Sequence, residues 1–300
     1  MPPIPPPRTT GFTATTNVPL YWCRYGAEGG EQLLILHGGP GAHHDYLLPQ
    51  MLRLDADASR DLVFYDQRGG GRSRSDAREL EGHITWETHV LDLERVISEL
   101  GVKPLTVVGY SWGGLLALLY GREAAAGRGT PAPDRLILID PAPVTRVYRD
   151  QFEREFARRQ ASPEVQALRE QLSASGLRER DNAAYRQRSF ELSVAGYFAD
   201  PTAAQDLTPF RVSGRVQQSV WQSLGEYDLL TDPAFRRITA PTLIIHGRQD
   251  PIPLASSEAC ASALGATLVV IDECGHVPYV ERPDALFEAI DEFLSTAHRR

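Results

Sequence analysis

The residues best suited to nucleophilic chemistry lie in the stretch Gly109-Tyr110-Ser111-Trp112-Gly113. An apolar strand is predicted before this stretch, over 105–108, and an apolar helix after it. A nucleophile elbow requires this order, because a sharp turn between strand and helix presents the serine hydroxyl to open space. The two glycines allow the strand and the helix to pack closely around the turn. The N–H groups and the dipole of the helix N-terminus would stabilise negative charge that develops beside Ser111.

A histidine is needed as the base for this serine. A serine hydroxyl is a weak nucleophile until a base takes its proton and a third group orients that base. In chains with such an elbow the order is serine, acid, histidine. His276 directly follows the last predicted strand and, among the eight histidines, is the one that fits this order. His37 begins a glycine-rich loop and is expected to shape its backbone, whereas His246 falls within a predicted strand and is expected to be buried.

The acid of the triad should follow a strand that precedes His276. Asp250 comes just after the predicted strand 242–247 and is the preferred acid. Asp140, at the end of the preceding predicted strand, is the alternative. Asp272 lies too close to His276 along the chain to reach behind its ring. The predicted triad therefore combines the elbow serine with Asp250 and His276.

Acyl transfer also requires backbone N–H donors at the position of the oxyanion. The N–H of Trp112, which follows the nucleophile, is the first predicted donor. The second should come from the loop His37-Gly38-Gly39-Pro40-Gly41. Because Pro40 has no N–H, Gly39 is the predicted donor and Gly38 the next candidate.

The elements that must position these groups follow from the apolar pattern. Short runs rich in Val, Ile and Leu alternate with helical patterns, which favours a mostly parallel α/β sheet with helices on both faces. The predicted strands are 32–36, 61–65, 105–108, 135–140, 242–247 and 267–272, with a hairpin over 11–25 and helices over 46–54, 85–100 and 283–294. The chemically suggestive loops all follow strands, where ligands of such sheets bind.

The region from 144 to 235 differs in character from the rest of the chain. It contains no predicted strand and is rich in charged helical stretches. A strand-free block between two sheet strands predicts an inserted helical cap domain, with residues 1–143 and 236–300 forming the core domain.

Composition excludes several classes of function. The chain has 300 residues, 42% of them hydrophobic, and a net charge of -8, which argues against a nucleic-acid partner. No apolar run is long enough to cross a membrane. The three cysteines have no paired spacing, so a reduced, cytoplasmic protein is expected. Zinc-type ligand spacing and a dinucleotide-binding glycine motif are both missing, so neither a metal nor a cofactor is expected. The oligomeric state is left open.

Three stretches carry a resemblance to a known family: the loop 37–41, the loop 66–73 (sequence DQRGGGRS), and Ser111-Trp112-Gly113. Together they resemble the prolyl iminopeptidases of the serine aminopeptidase family, which includes the tricorn-interacting-factor type, within the α/β-hydrolase superfamily. The resemblance implies an α/β-hydrolase fold and an exopeptidase that releases an N-terminal proline or other small apolar residue from peptides or amino-acid amides. It also implies the same Ser111, Asp250, His276 triad. Tyr110 departs from the family pattern, which often has a small residue there.

Substrate class remains open at this point. An esterase, lactonase or amidase could use the same triad on the same fold. A binding protein without catalysis is disfavoured, because every triad position holds a competent residue. An aminopeptidase must in addition hold a charged amine, which is costly to bury without a partner. In the resembling enzymes cap carboxylates supply it, and the resemblance implies Glu226 or Glu191 here.

Overall fold

A single eight-stranded sheet forms the centre of the protein. The computed structural model describes residues 4–74 and 84–297. The strands lie in the order β1-β2-β4-β3-β5-β6-β7-β8, with β1 and β2 antiparallel to their neighbours and the remaining pairs parallel. They are β1 (Thr9–Phe12), β2 (Tyr21–Gly26), β3 (Glu31–Leu36), β4 (Arg60–Tyr65), β5 (Thr106–Tyr110), β6 (Arg135–Ile139), β7 (Thr242–Gly247) and β8 (Thr267–Ile271). The predicted mostly parallel α/β sheet is confirmed.

Helices cover both faces of this sheet. Alternate residues of each strand point to opposite faces, so Leu34 and Leu36 of β3 join one apolar cluster while Leu33 and Ile35 join the other. The described helices are α1 (Trp86–Leu100), α2 (Trp112–Ala125), α3 (Arg146–Gln160), α4 (Pro163–Ala174), α5 (Leu177–Arg180), α6 (Asn182–Ser193), α7 (Gly214–Leu224), α8 (Leu254–Leu264), α9 (Pro278–Glu281) and α10 (Pro283–Ala297). Helices α1, α2 and α8 contribute to the first cluster and α10 to the second.

One predicted helix takes a different form. In place of an α-helix over 46–54, the chain forms two short 3₁₀ helices, His44–Leu47 and Gln50–Asp55. Pro49 lies between them, and proline lacks the N–H that a continuous helix needs and restricts the residue before it. The prediction of a single helix was wrong for this reason.

The carboxyl ends of the parallel strands meet at one edge of the sheet. Leu36 pairs with Gly109, and Tyr110 pairs with Ile139, so β3, β5 and β6 end side by side. Strand β7 continues this edge, with Ile245 opposite Ile139. The loops that follow these strands therefore converge on the same place.

The inserted helical segment, residues 144–235, lies over this edge. It contains α3 to α7 and short 3₁₀ helices, and its described residues form no strand. An antiparallel bridge between Thr145 and Asp228 joins its first residues to the region that follows α7. The pattern agrees with an inserted cap, and the division into two domains stays a prediction.

Across the described residues, no helix combines the length and apolar character that crossing a membrane would require.

Candidate active site

Ser111 sits on a backbone bend that few residues adopt. Its φ and ψ are 55° and −119°, directly before the first residue of α2. A positive φ is unfavourable for a residue with a side chain and persists only where the surroundings enforce it. Here the Ser111 N–H donates to the carbonyl of Ile139 (2.9 Å), and its carbonyl accepts from Gly114 and Ala142 (2.9 Å each). The neighbouring strand and the start of α2 thus hold the serine in the geometry of a nucleophile elbow.

The two glycines around Ser111 are required by close packing. A Cβ on Gly109 would collide with the Gly113 carbonyl, and a Cβ on Gly113 would collide with the Leu36 carbonyl at the end of β3. The turn can therefore form only with glycine at both positions.

The three side chains of the predicted triad come together at hydrogen-bond distances. Ser111 Oγ lies 3.0 Å from His276 Nε2, and His276 Nδ1 lies 2.8 Å from Asp250 Oδ2. Asp250 Oδ1 accepts the N–H of Ile252 (2.7 Å), which fixes the carboxylate. With Asp250 ionised, Nδ1 carries the proton that faces Asp250, and Nε2 accepts a hydrogen bond from the Ser111 hydroxyl.

The backbone of His276 is bonded on both sides. Its N–H donates to the carbonyl of Tyr197 (2.7 Å), and its carbonyl accepts from Tyr110 Oη (2.8 Å). The Tyr197 ring stacks on the imidazole with centroids 4.8 Å apart. Tyr110, the departure noted in the sequence, therefore supports the histidine loop while its ring narrows the cavity beside Ser111.

Burial sets the protonation of the imidazole. His276 is almost fully enclosed, and this burial lowers its pKa to about 4. Removal from water disfavours the charged form of a histidine. At neutral pH the ring is therefore uncharged and able to accept a proton.

The predicted oxyanion donors lie beside Ser111. Trp112 is the first residue of α2, so its N–H has no acceptor within the helix. Gly39 lines both cavities that Ser111 lines. The N–H of Gly38, the second candidate, is already bonded to Tyr46 Oη (2.7 Å), which leaves Gly39 as the better donor of the two.

A chain of hydrogen bonds joins these two donor segments. Trp112 Nε1 donates to the Gln67 side chain (2.8 Å), whose Nε2 donates to the His37 carbonyl (2.7 Å). His37 Nε2 accepts the Gln67 N–H (3.0 Å), and His37 Nδ1 donates to the Gly38 carbonyl (2.7 Å). His37 thus shapes the loop backbone.

The loop 66–73 supports this arrangement from outside. Asp66 accepts from the backbone N–H groups of His44 (3.0 Å) and Arg72 (2.8 Å). Arg68 makes a buried bidentate pair with Asp92 of α1 (2.8 and 2.7 Å). None of these side chains lines the cavities beside Ser111, so the motif stabilises the loops.

Two cavities have Ser111 in their walls. The larger, of about 440 Å³, is lined by Arg149, Phe152 and Glu153 of α3 and by Trp221 of α7. The smaller, of about 320 Å³, is mainly aromatic, with side chains that include Tyr46, Phe190, Phe210 and Tyr279. Both have the size of small-molecule sites, and the inserted segment supplies much of their walls.

The two carboxylates implied as amine ligands lie elsewhere. Glu226 is 86% exposed and faces Arg146 at 3.7 Å. Glu191 is buried but bonded to Gln187 (2.8 Å) and Arg188 (3.1 Å). Neither lines either cavity, because Glu226 follows the end of α7 on the surface and Glu191 points toward its own helix and the loop after it. The structure does not bring these two residues to Ser111.

The sequence reasoning missed Glu153. Its side chain lines the larger cavity together with Ser111 and pairs with Arg149 (2.6 Å), and it remains 50% exposed. A signal was present: Arg149, Phe152, Glu153 and Phe156 follow helical spacing, which places them on one face of α3. The spacing alone does not predict which face of α3 lies toward Ser111.

One cluster of the described residues has the composition of a metal site. Ligand atoms of Asp140, His246 and Asp250 lie within 4.8 Å of one another. Both nitrogens of His246 are already engaged, Nε2 with the Ile252 carbonyl (3.1 Å) and Nδ1 with Ser257 Oγ (2.9 Å). Asp250 is committed to His276. The cluster therefore does not fit a metal ion.

The comparison with known families decides the relationship. The model of the alpha/beta hydrolase family matches residues 33–289. The chain belongs to the α/β-hydrolase family. It is 30% identical to the proline iminopeptidase of Xanthomonas citri, over 91% of this chain and 92% of that protein. The family resemblance drawn from the loops is thereby confirmed.

Two further similar proteins match different shares of the chain. The chain is 40% identical to the proline iminopeptidase of Lactobacillus delbrueckii subsp. lactis over 102 residues. This match covers 33% of the chain and spans 34% of that relative's length. The crystal structure of the proline iminopeptidase of Mycobacterium smegmatis superposes with a TM-score of 0.66, covering 96% of this chain and 98% of that one, at 19% identity. The latter supports the fold alone.

Proposed function

We propose that this α/β hydrolase is a serine aminopeptidase that releases an N-terminal proline or another small apolar residue from short peptides or amino-acid amides. The observation that carries the proposal is that Ser111 and the carboxylate of Glu153 line one cavity of about 440 Å³. A nucleophile and an anionic group in one small cavity suit a substrate whose ammonium lies close to the scissile bond. The relatedness to the Xanthomonas enzyme supports the same activity.

The two cavities divide the substrate between them in this proposal. The larger receives the N-terminal residue, with its ammonium at Glu153 and its apolar part against Phe152 and Trp221. Arg149 holds the Glu153 carboxylate on one side (2.6 Å) and stacks on Trp221 with 4.1 Å between guanidinium carbon and ring centroid. The smaller, aromatic cavity receives the residue that leaves.

The reaction then follows from the hydrogen bonds at Ser111. His276 Nε2 takes the hydroxyl proton as Ser111 Oγ attacks the carbonyl carbon, and Asp250 stabilises the imidazolium that forms. The N–H groups of Trp112 and Gly39 bind the oxyanion. His276 returns the proton to the leaving amine, and a water molecule activated by the same base hydrolyses the acyl-enzyme.

The experiment compares arylamides of L-proline, L-alanine and L-leucine with an N-acetylated arylamide and with p-nitrophenyl acetate, using Ser111→Ala as the blank. An aminopeptidase cleaves the free-amine arylamides and loses this activity on acetylation, because the ammonium is what Glu153 recognises. Equal cleavage of the free and the acetylated arylamide, or cleavage of the ester alone, would contradict the proposal and indicate an amidase, esterase or lactonase with the same triad.

A further inference from the structure

Two buried carboxyl groups meet behind His276. Asp140 directly follows β6 and Asp250 follows β7, and these strands are neighbours in the sheet. The side chains of both are fully enclosed. A carboxyl oxygen of Asp140 and a carboxyl oxygen of Asp250 lie within 4.8 Å of each other. Since a carboxylate is only an acceptor, a hydrogen bond between two carboxyl groups requires a proton on one of them.

Among the described residues that face this pair, Arg159 is the one cation, and its charge is shared with other acceptors. The titratable groups that face it are His246, His276, Arg159, Glu281, Cys274, Tyr110, Tyr197 and Tyr279. Burial lowers the pKa of both histidines to about 4, so each is neutral. Arg159 is bonded to the Gln249 carbonyl (2.6 Å) and to Glu155 (2.8 Å). Two adjacent anions in such a site repel each other, and one of them binds a proton.

The hydrogen-bond donors around each carboxyl identify the proton carrier. Asp250 accepts N–H groups at both oxygens, from Ile252 (2.7 Å) at Oδ1 and from His276 (2.8 Å) at Oδ2. Asp140 accepts one, from Gly247 at Oδ1 (2.8 Å), and its buried Oδ2 has no donor among the described residues. Burial raises the pKa of both carboxyl groups. Donors stabilise the ionised form, and the larger number of donors favours Asp250 as the anion and Asp140 as the acid.

We infer that Asp140 is a buried, protonated carboxylic acid whose Oδ2–H donates to Asp250 and keeps that carboxylate ionised and directed at His276. Asp140 is then a positioning residue that acts through Asp250 and touches no substrate. The inference rests on the proposed role of Ser111, Asp250 and His276, and it holds for an amide or an ester substrate alike. Of the two candidate acids in the sequence, Asp250 then contacts His276 directly, and Asp140 holds Asp250 in place.

The test uses two substitutions and the rate at which a fluorophosphonate labels Ser111 in the full-length enzyme. Asp140→Asn can donate to Asp250 and accept from Gly247 as before, and it is expected to label within about threefold of wild type. Asp140→Leu removes the donor, and its labelling rate is expected to fall about 10-fold or more, as for the loss of a hydrogen bond to a charged group. Rapid labelling of Asp140→Leu, or an Asp140→Asn rate as low as that of Asp140→Leu, would overturn the inference.

The pH dependence separates this role from simple packing. Burial holds the pKa of Asp140 well above its ordinary value of 3.8. When alkali removes this proton, the donor is lost and two anions face each other, so the wild-type labelling rate is expected to fall at alkaline pH. Asp140→Asn has no proton to lose and should keep its rate. If the labelling rates of the wild type and of Asp140→Asn changed with pH in the same way, the inference would be contradicted.

A spectroscopic measurement covers the case in which Asp140→Leu fails to fold or Ser111 proves inactive. The infrared spectrum of the wild type at pH 7 should contain the carbonyl band of a protonated carboxylic acid that Asp140→Asn lacks. The absence of this band would overturn the inference whatever the substrate. Failure to cleave any arylamide, with the band present, would contradict only the proposed aminopeptidase function.

Discussion

At the scale of single residues, every polar group of His276 has a defined partner. The two ring nitrogens face Ser111 and Asp250, and the backbone N–H and carbonyl bind Tyr197 and Tyr110. With all four contacts made, the ring has one orientation and one neutral tautomer. These contacts hold the imidazole with Nε2 directed at Ser111 Oγ.

The first residue-scale prediction concerns pH. Because burial lowers the pKa of His276 to about 4 from an ordinary 6.5, the base stays neutral when the pH drops below 6.5. The kcat/KM for p-nitrophenyl acetate should therefore retain most of its neutral value at pH 6 and decline only at lower pH. A neutral ester is used because the amine of a peptide substrate titrates as well. A decline centred at or above pH 6.5 would contradict the prediction.

The second residue-scale prediction compares two glutamates. Glu153→Gln keeps the shape of the cavity wall but removes the charge that faces the ammonium, so the KM for L-proline arylamide should rise about 10-fold or more, with ester turnover unchanged. Glu226→Gln is the matched control: it is exposed, lies outside both cavities and should leave both activities unchanged. A selective loss in Glu226→Gln but not in Glu153→Gln would contradict the prediction and restore the assignment implied by the family resemblance.

At the scale of elements, the inserted segment is joined directly to the histidine loop. The 3₁₀ helix Ala195–Tyr197 provides the carbonyl that binds the His276 N–H. Glu281 of α9 accepts N–H groups from both sides of this junction, Ala199 and Gly275 (2.8 Å each). Hydrogen bonds therefore join the wall of the cavity directly to the loop that carries His276.

Gly275→Ala tests this junction. A Cβ at Gly275 would collide with the Tyr197 carbonyl and the Ala199 nitrogen, both backbone atoms that have little room to shift. Overpacking of this kind costs about 1–3 kcal/mol, and kcat for ester and arylamide should fall together because the base is displaced. In the control Gly121→Ala, the new Cβ meets only the Ile238 side chain at 3.3 Å. Wild-type kcat in a stable Gly275→Ala enzyme would contradict the coupling.

At the scale of the whole molecule, the sheet brings distant parts of the chain to one edge. Ser111 follows β5, Asp250 follows β7 and His276 follows β8, and the inserted segment covers them. The loop 66–73 is tied to α1 by the buried Arg68 and Asp92 pair, which connects the support of the oxyanion loop to the helix layer.

The whole-molecule prediction concerns this pair. Asp92→Asn leaves the buried guanidinium of Arg68 without its counter-charge, which should lower the free energy of unfolding by about 3–5 kcal/mol. Asp284→Asn removes the partner of Arg53 in an exposed ion pair and should change the free energy of unfolding little. Urea denaturation of both variants measures the difference. Equal, small effects would show that the Arg68 pair contributes no more than a surface pair.

The sequence by itself determined the sheet, its mostly parallel pairing and the elbow. Continuous apolar strands and helical apolar spacing are local patterns, and the Gly-x-Ser-x-Gly turn requires glycine for steric reasons within a few residues. Chain order then indicated His276 and Asp250, which the structure brings to hydrogen-bond distance of Ser111 and of each other. Their catalytic roles stay predictions until they are measured.

Only the tertiary structure decided which charged side chains share the cavity with Ser111. Glu153, Glu191 and Glu226 all lie in a charged, weakly patterned helical region, and the direction of each depends on how its segment packs over the sheet. The same holds for Asp140: its sequence position allowed it to be an acid of the triad, but its contact with Asp250 arises from the pairing of β6 with β7. Local patterns fix the elements, whereas the orientation of a polar side chain is set by packing between elements that are distant in the chain.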